Sequence, residues 1–160
     1  MTDPREILKQ MRLFEGLSAG ELKLVQAEAE SVRLDKDQVV FREGEPGDAL
    51  YGITSGSVRV VRQSAAGGEE VLALVDRGGC FGELSLVDLE TRSATVIANE
   101  PTELVLIRRK TFNRLVKEDR DLGLKLYKAL VNILCERLRA TDDSLTFSHT
   151  LLQGLMDKGA

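Results

Sequence analysis

From residue 31 to residue 108 the hydrophobic pattern has a period of two. SVRLD, QVVFR, ALYGIT, GSVRVVRQ, EEVLALV, SATVIA and TELVLIR are short, rich in β-branched residues and bounded by turn formers. Nine of the 14 glycines fall between Gly44 and Gly82, where short strands must reverse direction. A parallel sheet would need a crossover helix between successive strands, and no run in this stretch has the length for one. An antiparallel β-roll or jelly-roll barrel remains. QSAAGGEEV, the least patterned segment, reads as an exposed hairpin tip.

On both sides of this stretch the period lengthens. Residues 4 to 30 read as helical: Pro4 suits a first helical turn, and Ile7, Leu8 and Met11 recur at helix spacing. Ser18 is placed to cap a second helix, with Glu21 at the capping-box position and Leu22, Val25 and Ala29 as its apolar stripe. After Arg108 the helical period returns. Leu124, Tyr127, Val131, Leu134, Leu138, Thr141, Leu145, Ser148, Leu152 and Leu155 alternate at spacings of three and four, a heptad seam. A lone helix of that length would leave much of the stripe wet, so a partner helix in a homodimer is favoured over one helix laid across the barrel. Thr141 and Ser148 interrupt the seam with hydroxyls that either fix its register or face a ligand. The fold class expected is α+β: N-terminal helices in 1–30, an antiparallel β-roll in 31–108 and C-terminal helices in 109–158, a single domain spanning 1–160.

Composition narrows the function. A net charge of −4 lacks the basic surplus of a nucleic-acid-binding chain. No run approaches a membrane span and MTDPREILKQ is not a signal-peptide core, so a cytoplasmic location is expected, with no membrane partner. Cys80 and Cys135 lie far apart without metal-ligand spacing and read as small buried hydrophobes in a reducing compartment. His149 is the one histidine, too few for a clustered metal site, and no nucleophile–base pair is visible. The expectation is a protein that is not an enzyme, with no catalytic residues, no metal and no cofactor.

One stretch does carry chemistry. FGELSLVDLETRSATV, residues 81 to 96, sets a carboxylate, Glu83, and a guanidinium, Arg92, on either side of an apolar run, with Ser93 and Thr95 following. The pair admits two readings, a structural salt bridge or a bound ligand. Gly82 lets the backbone come close to a neighbour. A helical turn over Glu83 to Val87 would point free N–H groups at an anion, and Arg92 would add a forked cation. An ionised Glu83 can only accept hydrogen bonds, which suits a sugar hydroxyl. Phosphate and ribose in one compact ligand describe a nucleotide. A buried ion pair alone is energetically doubtful, so the ligand reading is preferred.

This stretch resembles the phosphate-binding cassette of the cyclic nucleotide-binding domain family, whose pattern is Phe-Gly-Glu, an apolar run, then Arg, a small residue, Ala and Thr. VVFREGEPGDALYGITSGSVRVV resembles the family's first signature through Gly44, Gly47, Asp48, Tyr51 and Gly56, and RLFEGLSAGEL resembles its N-terminal helical segment. The resemblance implies that Glu83 holds the ribose 2′-hydroxyl and Arg92 the exocyclic phosphate oxygens. It assigns backbone contacts to Gly82, Leu84 and Ser85 and a hydroxyl near the phosphate to Ser93. In the family's bacterial activators the long C-terminal helix dimerises and a Thr after an Arg-Leu-x-x run reaches the base. RLRAT gives Thr141 that role here, with Asp142 following. Leu89 and Thr91 depart from the glycine and proline common on the cassette's return loop, and bear on affinity.

Cyclic AMP is the ligand expected. Cyclic GMP is the alternative, since Asp142 could accept from guanine and Ser93 could contact its amino group. The function implied is a sensor that transmits binding through its C-terminal helix to a downstream protein partner. The alternatives are a degenerate dimerisation or docking module, or the sensor fragment of a transcription regulator. Asp48 reads as a turn residue, His149 as surface or helix packing, Tyr127 and Phe147 as core or seam, and the charges of CERLRATDD as a solvated helix face.

Overall fold

The structure, a computed structural model, describes residues 4–158. Eight strands run β1 (Glu30–Leu34), β2 (Val39–Phe41), β3 (Ala49–Ser55), β4 (Ser57–Gln63), β5 (Glu69–Asp76), β6 (Cys80–Phe81), β7 (Thr95–Ala98) and β8 (Thr102–Arg108). They form two four-stranded antiparallel sheets, ordered β1-β8-β3-β6 and β2-β7-β4-β5. The expected antiparallel roll, flanked by helices, is the observed fold.

Between the sheets lies a core of Phe41, Ile53, Val58, Phe81, Val96 and Leu104. A second core lies outside the first sheet, where Leu50, Val105 and Ile107 meet Leu8, Met11, Leu13, Phe112, Leu122, Leu126 and Leu130 from the helical segments. The two cores explain why β3 and β8 are apolar nearly throughout: alternate side chains enter different cores, so both faces are covered. Strand β5 is covered much less, and Val71, Leu72 and Leu74 stand exposed on it.

The N-terminal segment is helical, but of another kind than expected. Pro4–Gln10 and Arg12–Phe14 are 3-10 turns, and only α1 (Ala19–Glu28) is an α-helix. Met11, with no exposed surface, sits at the junction of the two turns and packs where Gly52 leaves room on β3. The capping box of α1 forms as read: Ser18 Oγ accepts from Glu21 N at 3.2 Å and Glu21 Oε2 accepts from Ser18 N at 2.8 Å.

After β8 come α2 (Arg109–Glu118) and the long α3 (Arg120–Lys158). The first half of α3 buries Leu122, Leu126, Leu130 and Ile133 within the chain. Those residues lie on a different stripe from the heptad seam. Leu124, Val131, Leu138, Leu145, Leu152 and Leu155 are all exposed, at 71, 56, 63, 57, 59 and 62%. Phe147 is exposed as well, not core, while Tyr127 is half-exposed and meets Phe112 edge to face with centroids 5.8 Å apart. Lys125 pairs with Glu21 at 2.9 Å and Arg12 pairs with Glu136, fastening this half of the helix to α1 and to the second 3-10 turn. The cysteines correct the expectation in part. Cys135 is exposed on α3; Cys80 is partly buried, and that burial pushes its thiol pKa up. No helix among the described residues is long and apolar enough to cross a membrane.

Candidate functional site

The 81–96 stretch is held by its two ends. Phe81 pairs with Tyr51 across β6 and β3, and Gly82 then turns the chain with φ of 78°, a left-handed conformation costly for any residue with a Cβ. A Cβ there would also meet Arg92 Nη1 at 2.7 Å and Ala49 O at 3.0 Å. Glu83–Leu86 form one 3-10 turn, with Val87, the last residue of the turn considered from the sequence, as its C-cap. The return limb is stitched to the segment before β3: Gly44 N donates to Arg92 O and Arg92 N to Glu45 O, both at 2.8 Å, and Thr91 bridges Pro46. The two sequence signatures therefore meet in space. Gly47 closes the junction, since a Cβ there would fall on the Ser85 hydroxyl. Thr95 is occupied structurally, its hydroxyl accepting from Glu43 N at 2.9 Å.

Arg92 is 6% exposed. Its Nη1 donates to Ser85 Oγ at 2.8 Å and its Nη2 to Ala49 O at 2.9 Å, both neutral oxygens, while Nε is buried with no hydrogen-bond partner. The guanidinium stacks on Phe41, 3.9 Å from its centroid, a cation–π contact that orients the fork without neutralising it. Burial pulls its pKa below the ordinary arginine value, though an arginine stays charged at any working pH.

Glu83 is 1% exposed, and it does not pair with Arg92. Its Oε1 pairs instead with Arg137 on α3, and its Oε2 is buried with no hydrogen-bond partner. Arg137 also donates to Cys80 O at 3.4 Å, so one side chain of the long helix is tied to the cassette twice. The salt-bridge reading of Glu83 and Arg92 is thus replaced by two separately held charges. Arg137 was legible only as one of a run of charges, because its partner is chosen by where α3 crosses the roll.

Both charges open on a cavity of about 600 Å³, within the range of small-ligand sites. Gly82, Glu83, Leu84, Ser85, Arg92 and Ser93 line it from the cassette, Val60, Leu72 and Val75 from β4 and β5, and Arg137, Ala140 and Thr141 from α3. Thr91 also lines it, whereas Leu89 is 86% exposed and outside it. Thr141 reaches the cavity with its hydroxyl donating to Arg137 O at 3.0 Å. Asp142 is exposed and is not among the lining residues, so the expectation that it sits beside Thr141 in the site does not hold within one chain. Asp48 lies in the irregular segment just before β3 rather than in a turn, its carboxylate accepting from Arg108 at 3.2 Å. Among the described residues no three His, Cys, Asp or Glu are grouped to hold a metal ion.

The arrangement suits a compact anion bearing hydroxyls. A fixed cation with spare donor capacity and a buried carboxylate oxygen with spare acceptor capacity face the same space, with apolar β5 side chains beside them. Comparison with known proteins shows the family. Residues 31–119, more than half of the chain, match the family model for the cyclic nucleotide-binding domain. The cyclic AMP receptor protein of Thermus thermophilus is 36% identical over 143 residues, 88% of this chain and 64% of that protein. The crystal structure of the Thermus thermophilus catabolite activator protein superimposes with a TM-score of 0.76 at 34% identity, over 85% of this chain and 62% of that one. A cyclic nucleotide-binding domain from Methylobacillus flagellatus also gives 0.76, at 30% identity, over 86% of this chain and 78% of that one. The chain spans somewhat less than two thirds of the length of the bacterial regulators it matches.

Proposed function

The chain belongs to the cyclic nucleotide-binding domain family, and from that membership we propose a sensor that binds cyclic AMP in the 600 Å³ cavity and passes binding on through α3. The observation that carries this is the state of the two charges: Arg92 is buried against neutral oxygens and Glu83 keeps a buried, unpartnered oxygen. A buried cation without a counter-charge and a buried carboxylate oxygen without a hydrogen bond are both costly, and an anionic ligand with a ribose hydroxyl answers both groups at once.

In this reading Glu83 Oε2 accepts from the ribose 2′-hydroxyl and Arg92 faces the exocyclic phosphate oxygens. Backbone groups of Gly82, Leu84 and Ser85 and the Ser93 hydroxyl complete the phosphate end, and Thr141 approaches the base. Of the two residues on which the cyclic GMP alternative rested, Ser93 lines the cavity and Asp142 does not line it within one chain, and cyclic AMP is kept as the preferred ligand. Transmission follows from Arg137: a ribose hydroxyl joining Glu83 changes the contact that ties α3 to the cassette, so ligand and helix position are linked. The exposed seam of α3 supports a homodimer of two such helices. A downstream protein, or a segment of a longer regulator, would read the change.

The test is the melting temperature of refolded, nucleotide-stripped protein with saturating cyclic AMP or cyclic GMP. A ligand at a hundred times its Kd adds about 2.7 kcal/mol, so a rise of several degrees with cyclic AMP is expected. No rise with either nucleotide would leave a docking module as the reading.

A further inference from the structure

We infer that Arg109, outside both sequence signatures, is a positioning residue for the phosphate end of the cavity; the inference rests on the nucleotide reading above. Arg109 opens α2, where free N–H groups disfavour a cation, and the first turn of that helix carries no acid to compensate. The side chain turns away from its own helix instead. Its Nη1 donates to Ser85 O at 3.3 Å and to Asp88 O at 3.2 Å, the carbonyls on either side of the point where the 3-10 turn ends. Its backbone N donates to Asp48 O at 2.6 Å. One residue therefore fastens three segments: the loop before β3, the cassette turn and the start of α2.

Ser85 is the link to the anion end. Its carbonyl is held by Arg109 while its hydroxyl accepts from Arg92 Nη1 at 2.8 Å. The turn is a single 3-10 turn and cannot hold its shape by its own hydrogen bonds. With Arg109 in place, Ser85, whose N–H is spent on Gly82 O at 3.2 Å, presents its hydroxyl at a fixed position, and Arg92 is aimed by that hydroxyl. Arg109 touches no ligand in this account. It acts by removing freedom from the groups that do.

The experiment compares the wild-type chain with Arg109→Met, which keeps the hydrocarbon stem and loses the donors, and Arg109→Lys, which keeps a cation able to donate. Hydrogen exchange on ligand-free protein reads the turn directly. Cyclic AMP titration reads its consequence. In Arg109→Met, amides of residues 84–88 should exchange faster by about tenfold while those of β4 and β7 hold, and the Kd should rise by about tenfold, the loss of roughly one hydrogen bond to a charged group. Arg109→Lys should recover most of both. Unchanged exchange in the turn overturns the inference. So does faster exchange with unchanged affinity, or acceleration spread evenly over the roll with a lowered melting temperature, which marks a general loss of stability. A wild-type chain that binds no nucleotide overturns the reading beneath it, and is told apart because wild type and variants then fail together.

Discussion

In the cassette, charge is buried; in the last turns of α3, hydrocarbon is exposed. Glu83 and Arg92 are 1% and 6% exposed, whereas Leu138, Leu145, Leu152 and Leu155 are 57–63% exposed. Each region inverts the ordinary rule for its residue types. The inversions differ in what would correct them. A buried cation facing neutral oxygens suits a small anion, because the space beside it is a cavity of about 600 Å³. A leucine row at heptad spacing asks for another row of the same length, because nothing smaller covers it. Both inversions are exposed to test separately, the first by the proposed ligand and the second by the proposed partner helix.

The separation can be broken or sharpened by substitution, beginning with the largest effect. Leu138→Asp with Leu145→Asp removes four leucines from a two-chain seam, each worth roughly 1.5–3 kcal/mol when buried. Sedimentation equilibrium should show only monomer, with circular dichroism unchanged because both residues are already wet in the single chain. A persisting dimer would show that the seam is not the interface. Next comes Arg92→Ala, expected to weaken cyclic AMP binding by about 2–3 kcal/mol, roughly thirty- to a hundredfold or more, while the ligand-free melting temperature changes little. A large fall in that melting temperature would make Arg92 a structural residue. Glu83→Gln is milder, about tenfold in affinity, and should also free Arg137, raising the mobility of a spin label placed at exposed Cys135.

The smallest effects lie far from both regions and serve as the baseline. Ser18→Ala should cost about 1 kcal/mol of stability through the lost cap and leave both nucleotide affinity and self-association alone. Glu21 adds a pH dependence. The Ser18 backbone N–H and then Lys125 hold its carboxyl below the usual range. Its contribution is thus present above the unfolded value and fades as pH falls through the lowered folded value. Acid melts of wild type and Glu21→Gln should converge at low pH and part above it.

How much of this was legible in the sequence depended on whether the deciding contact was local. The period of two exposed the strands from Glu30 to Arg108, except β6, because two residues, Cys80 and Phe81, cannot display a period. Ser18 and Glu21 were legible because both partners of the capping box lie within one turn. The 3-10 character of Pro4–Gln10 was not, since apolar residues three and four apart, as at Ile7, Leu8 and Met11, do not separate a 3-10 helix from an α-helix. In the site, Glu83 and Arg92 stood out by motif, and the seam by spacing. Arg137 and Arg109 did not. Each lies among other charges, and each finds its partner across 20 or more residues through the path of a helix. Asp142 shows the limit of reading by neighbour: Thr141 lines the cavity and Asp142, one residue on, does not line it within one chain.

The central claim, that the two charges are held apart for a cyclic nucleotide, meets its most direct test in calorimetric titration. Wild type and Arg92→Ala would each be unfolded, stripped and refolded, then titrated with cyclic AMP and cyclic GMP. The account predicts saturable binding of cyclic AMP at micromolar concentration or tighter by the wild type, and a loss of roughly thirtyfold or more in the variant. Absence of heat with either nucleotide in correctly folded wild type, or equal affinity in both proteins, would contradict it.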